Sequence, residues 1–80
     1  MYLNLGKDNM VLKQDIIGIF DLDSSCQSRI TRDFLSAAEK KGLVVNAAED
    51  IPNTFLICEE NGKEKVFLAQ TNSRTLYKRL

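Results

Sequence analysis

The chain has 80 residues, and its eleven basic and eleven acidic side chains give a formal net charge of zero. Its isoelectric point near 6.2 is well below the value of about 9 or more expected of a nucleic-acid-binding domain, so any nucleic-acid contact must come from a local basic patch. The chain contains no histidine, the commonest metal ligand and general base. Its two cysteines are too few for a disulfide framework.

The small size of the chain predicts self-association. We assign residues 1–80 to one domain, which buries only about 60–65% of its unfolded surface and has a small net stability. Because neither a disulfide nor a zinc site is available to reinforce it, we expect a homo-oligomer. The chain has no signal-peptide pattern and no apolar run of about 18–20 residues, which together with free thiols predicts a cytoplasmic protein without membrane association.

The N-terminal part predicts three short strands. Residues 2–5 alternate and end at Gly6, residues 10–13 form the second strand, and residues 16–21 form the third. The third strand carries isoleucine or phenylalanine on both faces, so it is predicted to lie centrally or to be covered on both sides. Gly18 in its middle should mark a bulge or a close backbone approach.

An amphipathic helix is predicted over residues 26–41. Ser25 or Ser28 can cap its start, and Gly42 suits the left-handed position that ends a helix. Because a helix turns by about 100° per residue, an apolar stripe is expected to face the core, with Leu35 at its margin. The stripe comprises Ile30, Phe34, Ala37 and Ala38. The change Phe34→Ala is then expected to cost about 3–5 kcal/mol.

The C-terminal part predicts a strand, a hairpin and a short helix. The strand covers residues 43–47, and the hairpin pairs residues 54–60 with 64–70 around an Asn-Gly pair that suits a type I′ turn. Residues 73–80 form a helix that is too short to be stable unless it docks on the body or on a neighbour. The predicted fold class is therefore α+β: a small, mostly antiparallel sheet of five or six strands with one main amphipathic helix and a short C-terminal helix.

Residues that could support catalysis or metal binding are few. Asp21 and Asp23 share one strand face and could hold Mg²⁺, although the same residues also suit a strand-to-helix turn. Cys26 lies near a helix start, where a thiol can become reactive, but no histidine is present as its base. Cys58 alternates with apolar residues and is predicted to be in the core. We expect no enzyme activity, no cofactor and no metal.

Basic side chains suggest a surface that could contact DNA phosphates. Arg29 and Arg32 lie three residues apart on the polar side of the main helix and are therefore neighbours. Lys13 is predicted to project from the second strand nearby. These three are the candidate DNA-binding residues, and the alternative interpretation is a solvated helix face with an edge-strand lysine. A second basic cluster, which also suits a helix C-terminus, comprises Arg74, Lys78 and Arg79.

Seven short segments occur in a characteristic order along the chain. They are YLNLG at 2–6, DII at 15–17, FDLD at 20–23, ITRDFL at 30–35, DIPNTF at 50–55, EENG at 59–62 and TLYKRL at 75–80. Because it carries these segments in this order, the chain resembles the Rem-type extracellular-matrix (biofilm) regulatory family, and within it the RemB-like branch. The resemblance implies a LytTR-type fold and a bacterial, cytoplasmic, homo-oligomeric regulator, whose multimers bind double-stranded DNA and regulate transcription of matrix genes.

The chain departs from the RemA-like pattern at three positions. RemA-like members carry DNA-contacting arginines where this chain holds Asp15, Ile51 and Pro52, so those contacts are not carried over. A carboxylate in place of an arginine repels phosphate and removes one contribution to salt-dependent binding. The alternative function is therefore a protein-interaction module that does not bind DNA, or an assembly partner of another Rem-type protein.

Overall fold

The computed structural model describes residues 1–25 and 27–80, without the side chain of Ser25. Strands dominate this part of the chain, and one main helix and a short C-terminal helix accompany them, so the predicted α+β class is confirmed. The elements are β1 (Tyr2–Gly6), β2 (Asn9–Leu12), a 3₁₀ turn (Lys13–Asp15), β3 (Ile16–Asp21), α1 (Leu22–Ser25), α2 (Arg29–Lys40), β4 (Val44–Asn46), β5 (Thr54–Glu60), β6 (Lys63–Ala69) and α3 (Ser73–Arg79).

The strands form two sheets. β1 and β2 make an antiparallel pair, and the remaining four strands form a sheet in the order β3-β5-β6-β4. β5 is antiparallel to both of its neighbours, whereas β4 runs parallel to β6. The prediction of a mostly antiparallel arrangement is confirmed, but the strands are divided between two sheets and do not form a single one.

The four-stranded sheet is the middle of three layers. Leu56 on one face belongs to a buried cluster with residues of the β1–β2 pair and of α3, including Leu3, Val11 and Leu76. Phe55 on the other face belongs to a second cluster, which is covered by α2. The strand residues alternate between these two clusters because successive side chains of a strand point to opposite faces.

β3 lies at an edge of the sheet, so the prediction of a central or doubly covered strand is wrong. Ile19 is buried, but Ile17 is 61% exposed and Phe20 is 39% exposed. The pairing with β5 shifts between Ile16 and Gly18, and such a bulge leaves one residue out of the normal alternation. The apolar run therefore continues into positions that the rest of the chain does not cover.

A bulge adjoins Gly18, as predicted, and the close approach at this glycine is made by a side chain. A Cβ atom at this position would lie 2.7 Å from Cε2 of Phe20, so the phenylalanine ring rests on the glycine. The same ring stacks on Phe55, with the two ring centroids 5.0 Å apart and the planes inclined by 20°. The absence of a side chain at Gly18 thus lets the Phe20 ring lie along the strand.

The main helix begins and packs differently from the prediction. α2 starts at Arg29, with Ser28 at the N-cap position but without a hydrogen bond from its side chain. Ala38 is buried and Phe34 is half-buried, whereas Ile30 is 82% exposed, and Ala37 is also exposed. Ile30 lies about 80° around the helix from Ala38, so it projects from the flank of the helix. The predicted core stripe is wrong at Ile30 and Ala37.

The predicted helix end and the predicted hairpin turn are confirmed. Gly42 ends the helix with a φ of +72°, and Asn61 and Gly62 have φ values of +52° and +79°, as a type I′ turn requires. In the C-terminal helix, Leu76 is fully buried. The Tyr77 hydroxyl donates to the Ile19 carbonyl at 3.1 Å, so α3 docks on the body and covers part of the open edge of β3.

Candidate functional site

The first turn of α2 carries the two candidate arginines on the outer surface of the molecule. Nε of Arg29 lies 3.8 Å from Oδ2 of Asp33, and both side chains are more than 70% exposed. An exposed pair four residues apart on a helix contributes only about 0.3–0.5 kcal/mol, so a phosphate can displace Asp33 at little cost. Arg32, which is also exposed, directs Nη1 towards the Gln27 carbonyl at 3.5 Å.

Lys13 is separated from the arginine pair. β2 ends at Leu12, and Lys13 opens the 3₁₀ turn that leads into β3, so it does not project from the second strand as predicted. Its backbone N–H donates to the Met1 carbonyl at 3.0 Å, and its side chain is half-buried. The fold therefore places Lys13 before one end of β3, and α2 begins beyond the other end.

The three positions at which the resemblance leads us to expect arginine lie towards opposite ends of β5. Asp15 immediately precedes Ile16, which pairs with Cys58 near the end of β5. Ile51 and Pro52 lie in the loop before that strand, which starts at Thr54. A strand of this length spans about 20 Å, at about 3.3 Å per residue. Asp15 is therefore separated along the sheet from Ile51 and Pro52.

Cys58 is a core thiol, as predicted. It is fully buried on the face of the four-stranded sheet that the β1–β2 pair covers. Burial is the largest of three causes that raise the pKa of the thiol from 9.0 to about 11; the others are the nearby carboxylates of Glu60 and Asp15, which repel a thiolate. Because the thiolate is the nucleophilic form, this group is poorly suited to covalent chemistry. The prediction for Cys26 lies outside the described residues.

Cys58 should therefore resist alkylation in the folded protein. In a Cys26→Ser variant, labelling by iodoacetamide at pH 9 should be at least about fiftyfold slower than for the unfolded chain, because a thiol with a pKa of about 11 is only about 1% ionised there. Mass spectrometry over time measures the rate. The same variant in denaturant is the control, and equal rates in the two states would contradict the assignment of Cys58 to the core.

The acidic pair at the end of β3 forms a turn. Oδ1 of Asp21 accepts a hydrogen bond from the backbone N–H of Asp23 at 2.9 Å, so this carboxylate caps the short helix α1. Within residues 1–25 and 27–80, no three histidine, cysteine, aspartate or glutamate side chains come together in a way that could hold a metal ion. The basic tail is exposed, and Lys78 and Arg79 lie in the last turn of α3, where they complement the helix dipole.

The structure also reveals an apolar groove that the sequence interpretation missed. It has a volume of about 230 Å³ and lies between α2 and the edge of the sheet formed by β3 and β5. The only sequence signal for this groove was the set of apolar residues assigned to the core. The residues that line the groove are Phe20, Ile30, Thr31, Phe34, Phe55 and Ile57.

No described helix is long and apolar enough to cross a membrane.

Comparisons with known proteins support the family resemblance drawn from the ordered segments. The family model for RemA-like proteins, described as "Extracellular matrix regulatory protein A-like", matches residues 2–80. Extracellular matrix regulatory protein B of Bacillus subtilis (strain 168) is 33% identical over 79 residues, which cover 99% of this chain and 89% of that protein. The resemblance inferred from the ordered segments is confirmed, and the chain belongs to the RemA-like family of extracellular matrix regulatory proteins.

Proposed function

We propose that this chain is a cytoplasmic, homo-oligomeric regulator of bacterial extracellular-matrix genes that binds double-stranded DNA as a multimer. Family membership supports the regulatory role. The observation that carries the DNA-binding part is the exposed pair Arg29 and Arg32 on the outer side of α2. Lys13 is the third proposed contact, at a separate place on the subunit.

The proposed contacts are to phosphates. Guanidinium groups bind phosphate oxygens well, but phosphate contacts position a protein on DNA without reading its sequence. α2 carries no asparagine or glutamine, the side chains that read adenine in the major groove. Each subunit therefore contributes few contacts and little sequence discrimination, and the symmetry of a multimer supplies the affinity by repeating them.

We further propose that the protein is not an enzyme. The chain has no histidine, and its described thiol, Cys58, is buried with a raised pKa. The carboxylate of Asp21 is engaged by the backbone of Asp23. These features favour binding over catalysis.

Salt dependence of DNA binding tests the proposal. If a multimer makes about six phosphate contacts, affinity for a long duplex should fall about a thousandfold between 50 and 200 mM salt. The double change Arg29→Ala and Arg32→Ala should flatten this dependence and leave the melting temperature nearly unchanged, because both side chains are exposed. Fluorescence anisotropy of a labelled duplex measures the affinity, and thermal unfolding measures the stability.

A matched control uses the basic pair of the tail. The double change Arg74→Ala and Arg79→Ala removes the same charge from another exposed surface and should leave the salt dependence close to that of the wild type. An equal loss in both double variants would contradict the assignment to α2. If the wild type does not bind long duplex DNA at low salt, the DNA-binding proposal is wrong.

A second candidate function is a protein-interaction module that assembles with another member of the family. Three observations favour it: a net charge of zero, a carboxylate at Asp15, and the uncharged residues Ile51 and Pro52 at the other two positions that hold arginine in RemA-like members. Co-sedimentation with a RemA-like protein from the same organism, in the absence of DNA, distinguishes this function from the first.

A further inference from the structure

A cavity of about 300 Å³ lies between the β1–β2 pair, the 3₁₀ turn and the end of the β5–β6 hairpin. This volume is at the lower end of the range of about 300–1,000 Å³ that is typical of small-ligand sites. One part of its lining consists of Tyr2, Met10 and Leu12. Tyr2 pairs with Leu12 across the two strands, so both side chains lie on the same face. Because Tyr2 is 61% exposed, this lining presents an aromatic ring to an occupant.

The rest of the lining is polar and carries negative charge. It comprises the carboxylates of Asp15 and Glu60 and the carboxamides of Gln14 and Asn61. Asp15 and Glu60 are both half-buried, and both lie close enough to Cys58 to raise the pKa of its thiol. The described residues that line the cavity include no lysine or arginine. The cavity therefore combines a net negative charge with several hydrogen-bond acceptors.

One neighbouring cation reaches one of these two carboxylates. Nζ of Lys65 lies 4.0 Å from Oε2 of Glu60, and both side chains are partly exposed. Such a pair contributes only about 0–1 kcal/mol, and an ionised carboxylate can accept about four hydrogen bonds, so Glu60 can bind a second donor. Asp15 takes part in no ion pair within residues 1–25 and 27–80. The negative charge of the cavity is therefore only partly compensated by the chain itself.

A guanidinium group suits this combination of an aromatic ring and two carboxylates. It is planar, stays charged, and donates to a carboxylate through two parallel hydrogen bonds. Its flat face also stacks on an aromatic ring such as that of Tyr2. The remaining N–H groups find acceptors in the carboxamide oxygens of Gln14 and Asn61. An ammonium group is a compact point charge and uses fewer of these features.

We propose that this cavity binds an arginine side chain of a partner protein, with the guanidinium group held by the Tyr2 ring and by the carboxylates of Asp15 and Glu60. The assignment of the arginine to a protein rests on the second candidate function, the protein-interaction module, whereas the chemistry of the cavity does not. The site is also independent of DNA binding through α2, because Asp15 precedes one end of β3 and α2 begins beyond the other.

Titration of the isotope-labelled full chain with the peptide acetyl-Gly-Arg-Gly-amide, followed by nuclear magnetic resonance, tests the proposal. The amide signals of residues 2, 12–15 and 60–61 should shift and saturate with a Kd of about 1 mM, the weak affinity expected of a single side chain. In the matched peptide acetyl-Gly-citrulline-Gly-amide, a neutral urea replaces the guanidinium group. This peptide should leave the same signals in place, because the charge is the feature that the cavity recognises.

The double change Asp15→Asn and Glu60→Gln should weaken binding of the arginine peptide roughly tenfold or more, because it removes two charged hydrogen-bond acceptors. Both substitutions keep the shape of the side chain, so the melting temperature should change little. The matched control is the double change Glu49→Gln and Asp50→Asn. It removes the same charge from exposed residues outside the cavity and should bind the peptide like the wild type.

Three results would each overturn the proposal: no binding of the arginine peptide, equal binding of the citrulline peptide, or equal loss in both double variants. Methylguanidinium separates the two sources of the cation. If methylguanidinium binds in the cavity and the peptide does not, the assignment to a partner protein is wrong, and a free guanidinium compound is the occupant. Because DNA is absent from these titrations, their outcome is independent of whether the protein binds DNA.

Discussion

Replacing Leu56 by alanine should destabilise the protein by about 2–5 kcal/mol, which is most or all of the stability of so small a domain. Leu56 is fully buried and lies on β5, which pairs with β3 and β6 on its two sides. Its side chain belongs to the cluster formed with the β1–β2 pair and α3. The deletion therefore leaves a cavity where two layers meet. Denaturant unfolding followed by circular dichroism measures the loss.

Ile51→Ala serves as the control for this change, because Ile51 is a large aliphatic residue outside the core. It should change the free energy of unfolding by no more than about 0.5 kcal/mol. A Leu56→Ala variant as stable as Ile51→Ala would show that the centre of the core lies elsewhere. Phe34→Ala should cost less than the 3–5 kcal/mol expected from the sequence, because Phe34 is only half-buried.

Leu76→Ala should have a comparably large effect, about 2–5 kcal/mol, through the docking of α3. Leu76 is fully buried in the same cluster as Leu56. A helix as short as Ser73–Arg79 has almost no stability of its own, so loss of this contact should release it. Tyr77 then loses its hydrogen bond to Ile19, and the edge of β3 becomes exposed. Hydrogen exchange of the α3 amides, together with denaturant unfolding, measures both consequences.

Leu80→Ala is the control for Leu76→Ala, since Leu80 is about half exposed at the end of the same helix. It should cost far less and should leave the protection of α3 nearly unchanged. If Leu76→Ala leaves the exchange of α3 as slow as in the wild type, the helix is held by other contacts and the expectation is wrong.

Features that depend on a few neighbouring residues could be predicted from the sequence. The Asn61-Gly62 turn follows from backbone angles that few residues adopt, and the end of α2 at Gly42 has the same origin. The burial of Cys58 follows from alternation within one strand. Family membership was also visible in the sequence, because the order of seven segments carries more information than any one of them.

The tertiary structure alone decided which apolar residues are covered. The apolar run of β3 predicted burial on both faces, but β3 pairs with β5, a strand remote from it in sequence, and lies at the end of the strand order. The helical period placed Ile30 near Phe34 and Ala38, but the direction from which the sheet approaches α2 determines which side is buried. A period specifies the spacing of side chains around an element and leaves open which neighbour faces them. The groove beside Ile30 therefore became visible only when α2 was placed on the sheet.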